Sequence, residues 1–319
     1  MGLKRIEPPG ALADAMASPP ADRLQRLLFP EVESPEGPIG YTTRLLVATT
    51  MPHSRSDDNE FTRSSGLYDL CLLTPRRVGL PFGRYPRLAF VWIITEAVRR
   101  RSPLLYLPRT FSEFADQLGI TPSSGPKGTL VQLREQLHRL VNLTFSCLGG
   151  ASLSRTSSDS TSDAKLALSP SFYEGGGIHP IKRYLLWWDE PAPDASNPSF
   201  LLLNEDFFEE IVAHPVPVSL EVLRTFRSPL EMDVYMWFTW RSFRSLRLQR
   251  PEPVSWLALK NQFGSDYSEE RSFRYNFLRA VKHVLSIYPT VRVKSTRRGL
   301  ILLPYPPHVT YRPLPPKER

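Results

Sequence analysis

Three observations predict the fold class. Two wholly apolar helical segments are each trailed by arginines, the phrase ADQLG at 115–119 is echoed by KNQFG at 260–264, and each long amphipathic run is followed by paired strand-like text. Together they predict an α+β, mainly helical chain of two winged helix-turn-helix domains in tandem. Pro86 precedes Pro229 by 143 residues, Gly119 precedes Gly264 by 145, and Leu137 precedes Val281 by 144. The repetition is architectural.

The chain has 319 residues, enough for about two domains of ordinary size, and its 41% hydrophobic content can fill their cores. Lys and Arg outnumber Asp and Glu by 40 to 32, for a net charge of +8, which favours an anionic partner. The longest apolar runs, 88–94 and 234–240, are far short of the roughly 18 residues a membrane span needs, so no membrane partner is expected. The first twenty residues carry Lys4 and Arg5 but no continuous apolar core, which argues against a secretory signal. With two cysteines, Cys71 and Cys147, in strand-like apolar text, the expectation is buried, reduced thiols in a cytoplasmic protein.

Residues 1–40 are proline-rich and read as a disordered arm, apart from a short helical pattern at 22–29. The N-terminal winged-helix domain is placed at 41–188. It opens with strands at 42–50 and 67–73, separated by the polar loop HSRSDDNEFTRSSG. PRLAFVWIITEAVRRR, from Pro86, is apolar all round its first turns and should be a buried helix. Thr110 to Glu113 form a capping box for a second helix that stops at Gly119, a natural residue just past a helix end. A third helix is expected at about 125–142, with Leu130, Leu133, Leu137, Leu140 and Val141 on one stripe. LTFSCL and KLALSP read as strands around a Ser/Thr-rich loop tip at 151–164.

Residues 189–199, DEPAPDASNPS, read as an interdomain linker. The C-terminal winged-helix domain is placed at 200–310, followed by a tail at 311–319. FLLL and NEDFFEEIVA give a strand and a short helix. Ser228, Pro229 and Glu231 then form a capping box with proline at the first helical position, opening a second apolar helix trailed by Arg241, Arg244 and Arg247. Ser255 can cap WLALKNQF, which ends at Gly264. YSEERSFRYNFLRAVKHVLSIYP gives a long helix, and TVRVKSTRRGLILLP two strands around a turn closed by Gly299.

On that long helix Phe273, Phe277, Ala280, Val281 and Val284 form one stripe towards a core. The opposite face shows Arg271, Ser272, Tyr275, Arg279 and Lys282, with Arg274, Asn276 and His283 at its borders. From Arg271 to Arg298 there are eight Lys and Arg residues and no Asp or Glu. A solvated face ordinarily mixes signs, so the pattern points to a DNA ligand. Arginines would meet guanine edges and Asn276 adenine, while Lys294, Arg297 and Arg298 grip phosphates. The first copy's helix is weaker electrostatically: Gln132, Glu135 and Arg139 face outward, with Lys127 and Arg134 at its edges. Contact with DNA backbone and contact with another protein chain both fit it.

No residue set points to catalysis, and no cofactor or metal site is expected. Gly125 to Thr129 lacks phosphate-loop spacing, and Pro126 removes an amide such a loop needs. The six histidines are scattered, and Asp189–Glu190 and Glu209–Glu210 read as solvated charges. Trp187 and Trp188 fit packing better than base stacking.

GLPFGRYPRLAFVWIITEAVRRRS, FSEFADQLGITPSSGPKGTLVQLREQLHRL, VPVSLEVLRTFRSPLEMDVYMWFTWRSFR, NQFGSDYSEERSFRYNFLRAVKHVLSIYP and GLILLPYPPHV resemble, in that order, the plasmid-encoded replication initiator family called RepA. The likeness covers most of 79–309 but neither the first forty residues nor 151–164. It implies a protein that binds repeated sites in origin double-stranded DNA, helps melt adjacent AT-rich DNA, and recruits the host initiator and replicative helicase. It also implies stronger sequence-specific contacts by the C-terminal winged helix, with backbone contacts and homodimer formation by the N-terminal one. The rival expectation is a winged-helix transcriptional repressor without origin function.

Overall fold

The computed structural model describes residues 37–64, 69–148, 175–186, 198–264 and 267–309. The arm, the helical pattern at 22–29, KLALSP, the loop at 151–164, most of the expected linker and the tail lie outside them.

The described chain opens with strand β1 (Ile39–Thr43) and helix α1 (Arg44–Thr49). The strand expected at 42–50 therefore turns helical almost at once. Thr43, the last residue of β1, lies opposite Pro215, the first residue of β9. Strands β2 (Glu60–Ser64) and β3 (Asp69–Leu73) follow as an antiparallel pair. The first of these lies inside the stretch expected to be a polar loop. Its inward positions are Phe61 and Arg63, and the Arg63 guanidinium stacks 4.4 Å over the Phe61 ring, so an arginine stands where a strand pattern would show an apolar residue.

The first repeat consists of α2 (Arg84–Arg100), β4 (Leu104–Tyr106), α3 (Phe111–Gln117), α4 (Thr129–Val141), β5 (Thr144–Leu148) and β6 (Gly175–Ile178). Both halves of the capping box at α3 are present. Gly119, at φ 71°, closes that helix: its N–H donates to Asp116 O and the Ile120 N–H to Ala115 O, a Schellman ending. Helix α4 starts four residues later than expected, because Gly125 sits at φ 99° and Gly128 is the N-cap. Along α4, Leu133, Leu137, Leu140 and Val141 are buried as the spacing requires.

The chain continues through β7 (Ile181–Leu185), β8 (Phe200–Leu203), α5 (Glu205–Ala213), β9 (Pro215–Ser219) and α6 (Leu220–Thr225). The second repeat follows as α7 (Pro229–Leu248), β10 (Glu252–Ser255), α8 (Trp256–Phe263), α9 (Glu270–Ile287), β11 (Val293–Ser295) and β12 (Gly299–Leu302). At α7 Ser228 is the N-cap and Pro229 stands at N1. The expected capping bond is nonetheless missing, since the Ser228 side chain accepts no cap hydrogen bond. Ser255 does cap α8, accepting from the Ala258 N–H at 3.1 Å.

The sheets are antiparallel and short: β1–β9, β2–β3–β5–β6, β4–β8–β7 and β10–β12–β11. Two of them join early and late chain. Strand β8 lies between β4 and β7, and β9 pairs with β1. A continuous apolar core runs from Tyr41 to Tyr305 and includes residues of α2, α4, α7 and α9. At its centre Arg87 of α2, 1% exposed, uses all five guanidinium N–H donors on Asp233 of α7 and the carbonyls of Met51, Pro52 and Gly83. His53 Nε2 lies 2.8 Å from Asp233 Oδ2. Burial opposes ionisation of this carboxyl, yet Arg87 and His53 outweigh it and hold Asp233 below the usual carboxylate range.

Cys71 is a free thiol, half-buried rather than fully buried as expected, and burial pushes its pKa up. Among the described residues, no helix is long and apolar enough to cross a membrane.

Candidate nucleic-acid interface

Helix α9 is held by one face. Phe273, Phe277, Ala280, Val281 and Val284 are all buried, with Phe277 packing on Phe263 at 5.2 Å and edge-on to Trp256 at 6.4 Å. At the border of that face α9 is pinned to α7, where His283 Nδ1 lies 2.9 Å from Glu231 Oε1, and the imidazole stands edge-on to Phe226. This anchoring leaves Arg271, Ser272, Tyr275, Arg279 and Lys282 exposed. Tyr275, the one aromatic residue among these five, is 65% exposed, and the Arg279 guanidinium lies 5.9 Å from its ring.

The border residues are engaged locally. Asn276, half-buried, donates from Nδ2 to Ser272 O at 3.0 Å. Arg274, also half-buried, stacks 4.6 Å over Trp256 and donates to Thr296 O at 3.4 Å.

The β11–β12 hairpin brings Lys294, Arg297 and Arg298 to the surface beside α9, all exposed. Thr296 Oγ1 accepts from the Arg298 and Gly299 N–H groups, each at 3.2 Å, which closes the turn. Gly299 has φ 155°, and a Cβ there would stand 2.0 Å from Val254 O, so the close approach of β10 admits only glycine. Among the described residues, Arg271, Arg279, Lys282, Lys294, Arg297 and Arg298 form no ion pair with a carboxylate. The arginines that trail α7 differ. Arg241 and Arg244 both bind Glu252, at 3.2 and 2.7 Å, and Arg241 is wedged beside Trp237 and Trp240. Burial pulls the Arg241 pKa down, countered by Glu252.

In the first repeat the expected residues do not gather in the same way. Lys127 and Gln132 are exposed, with Gln132 Nε2 donating to Lys127 O at 3.0 Å. Arg139 was expected to face outward, but it is 8% exposed. It donates to Leu80 O at 2.9 Å, pairs with Glu135 at 2.7 Å and lies 5.3 Å from the Phe82 ring. The segment 79–82 folds back over α4 and covers it, a contact that helical spacing alone does not reveal.

The sequence reading also missed what fixes α8 under the basic surface. Thr50 Oγ1 donates to Gln262 O at 2.9 Å and Arg63 Nη1 to Asn261 O at 3.5 Å, so two last-turn carbonyls of α8 are met by side chains from the start of the chain. Among the described residues no group of three or more His, Cys, Asp or Glu side chains could hold a metal ion.

Residues 80–174 and 183–256 match the family described as plasmid encoded RepA protein. The chain belongs to the plasmid-encoded RepA family of replication initiators. The match spans both repeats of this RepA-family chain up to the first residue of α8, while α9 and its hairpin lie beyond it. The fold is similar to a selenomethionine crystal structure of domains 2 and 3 of RctB, with TM-score 0.50 and 16% identity over 84% of this chain and 97% of that one. A second RctB domain 2–3 crystal structure aligns with TM-score 0.45 and 14% identity over 80% and 92% of the two chains. No curated protein sequence matched the chain.

Proposed function

We propose that this RepA-family chain initiates plasmid replication as a non-enzymatic, cytoplasmic DNA-binding protein built of two winged helix-turn-helix units. Its second unit, α8 and α9 with the β10–β12–β11 sheet, reads repeated sites in origin duplex DNA. In this reading α9 enters the major groove and the β11–β12 hairpin is the wing on the flanking phosphates. The first unit adds backbone contacts or holds a second copy of the chain. Bound at the origin, the protein promotes opening of adjacent AT-rich DNA and recruits host replication proteins.

The observation that carries this reading is the charge pattern around α9. Six Lys and Arg side chains gather on one helix face and the adjoining hairpin with no carboxylate partner among the described residues, and no Asp or Glu interrupts the sequence from Arg271 to Arg298. Unpaired like charges side by side repel, and an array of phosphates relieves that repulsion. The test is footprinting of the full chain on DNA flanking its gene. Protection of repeated sites beside an AT-rich stretch supports origin function, and protection confined to a promoter supports repression alone.

A further inference from the structure

We propose that Arg274 is a positioning residue for the hairpin and not itself a reader of DNA. The inference rests on the duplex-binding role of α9 and the β11–β12 hairpin given above. Sequence spacing puts Arg274 at the border of the cationic face, yet its guanidinium is already committed on two sides. It stacks 4.6 Å over the indole of Trp256 and donates from Nη2 to Thr296 O at 3.4 Å.

Trp256 is itself fixed to the same turn. Its Nε1–H donates to Thr296 O at 3.1 Å, and its backbone N–H donates to Arg298 O, also at 3.1 Å. Thr296 O therefore receives donors from the first residue of α8 and from the second turn of α9. The residues directly after it in the turn are Arg297 and Arg298, two of the hairpin's three exposed cations named above. Trp256 is 3% exposed and cannot touch a duplex, so its contribution to the turn is purely geometric.

Strand β12 is paired along its length with β10 and also with β11, so the sheet already fixes the hairpin's base and only the turn at 296–298 lies beyond the ladder. The Arg274–Trp256–Thr296 contact ties that turn to α8 and α9: it sets the angle between the α9 face and the hairpin tip before DNA arrives, which lowers the ordering cost of binding. A cation over a partly desolvated indole suits this role, because it tolerates small changes of angle while resisting separation.

The test is a double-mutant cycle on the full chain, measured as affinity for a short mixed-sequence B-form duplex across a salt series. Arg274→Ala should weaken binding roughly three- to thirtyfold, the range of a partly desolvated cation–π contact. Introduced into an Arg297→Ala/Arg298→Ala background, it should add nothing. Its effect on the log–log salt slope should approach the roughly 1.8 expected for loss of two phosphate contacts. Additive losses, with a slope change of about 0.9 for one phosphate, would mean that Arg274 grips DNA directly and would overturn the assignment.

Trp256→Phe is the independent arm, since it keeps the ring and deletes the Nε1–H bond to Thr296. It should weaken binding in the wild-type background and not in the Arg297→Ala/Arg298→Ala background. Equal losses in both backgrounds, or none in either, would sink the proposal even if Arg274→Ala proved unfolded. Absence of duplex binding by the wild-type chain would instead remove the duplex-binding role on which the inference stands.

Discussion

Arg87 and Asp233 meet as a two-pronged ion pair, Nε on Oδ1 and Nη2 on Oδ2, each at 2.7 Å, and each residue belongs to the opening turns of one of the two equivalent apolar helices. The bond thus joins the two halves of the internal repeat at their corresponding elements. Asp233→Asn should cost about 3–5 kcal/mol, because it leaves a buried guanidinium without its counter-charge. Arg87→Met combined with Asp233→Leu should cost much less than the sum of the single changes. Urea unfolding of the single and double variants measures both.

The same pair gives a pH dependence whose sign is fixed. Asp233 titrates below the ordinary aspartate value of 3.8, so its stabilisation is complete above that value and is lost as pH falls below it. His308 works over a higher range. It stacks on Tyr288 with centroids 4.4 Å apart, and its Nδ1 lies 3.0 Å from the Tyr235 hydroxyl. That hydroxyl also accepts from the Ser219 N–H at 3.1 Å. Burial pulls the His308 pKa down to about 4 from 6.5. The unfolded chain therefore binds the extra proton between these values, and stability falls as pH drops from 6.5 towards 4. Thermal melts of His308→Gln should show a shallower loss than wild type across that interval.

Base reading and phosphate binding should separate by mutation. Arg279→Ala is expected to cost roughly 1–3 kcal/mol on the cognate site and to relax its specificity, whereas Arg298→Ala should weaken all duplexes alike. Competition binding with cognate and random duplexes distinguishes them. Equal losses on both duplexes for both variants would count against this division.

Tyr275 carries no charge, is 65% exposed and sits among Arg271, Arg279 and Lys282. Tyr275→Ala should lower affinity for the cognate site while leaving the salt slope unchanged. Each lost phosphate contact should instead lower the slope by about 0.9. A salt series on the two variant types checks this.

Gly299→Ala should destabilise the second unit by about 1–3 kcal/mol or more, since the new Cβ must displace the backbone of Val254 in the paired strand. The loss should appear in chemical unfolding without any DNA present.

Much of this was legible in the chain. Phe273, Phe277 and Val281 are buried because an amphipathic helix of that spacing has only one way to cover its apolar stripe. The two copies of the helix-ending phrase were legible as endings but not in their geometry. Gly119 ends α3 at φ 71°, while Gly264 ends α8 at φ −94° and is needed because a Cβ would strike Lys260 O at 2.6 Å. Long-range partners were hidden. Nothing in the text around Arg139 announces that residues 79–82 cover it, and nothing in two apolar helices announces that Arg87 and Asp233 share one buried contact. Strand β2 was concealed for a related reason, since Arg63 packs on Phe61 and fills an inward position with a charged residue.

The caps on α8 have a bearing on how this molecule can be dissected. Thr50 and Arg63 belong to the beginning of the chain, yet they hold the scaffold on which the cationic helix rests. A fragment beginning near residue 200 would expose two carbonyl acceptors and strip β8 and β9 of their neighbours, so a weak result from such a piece would report its broken seams before it reported the strength of the intact interface.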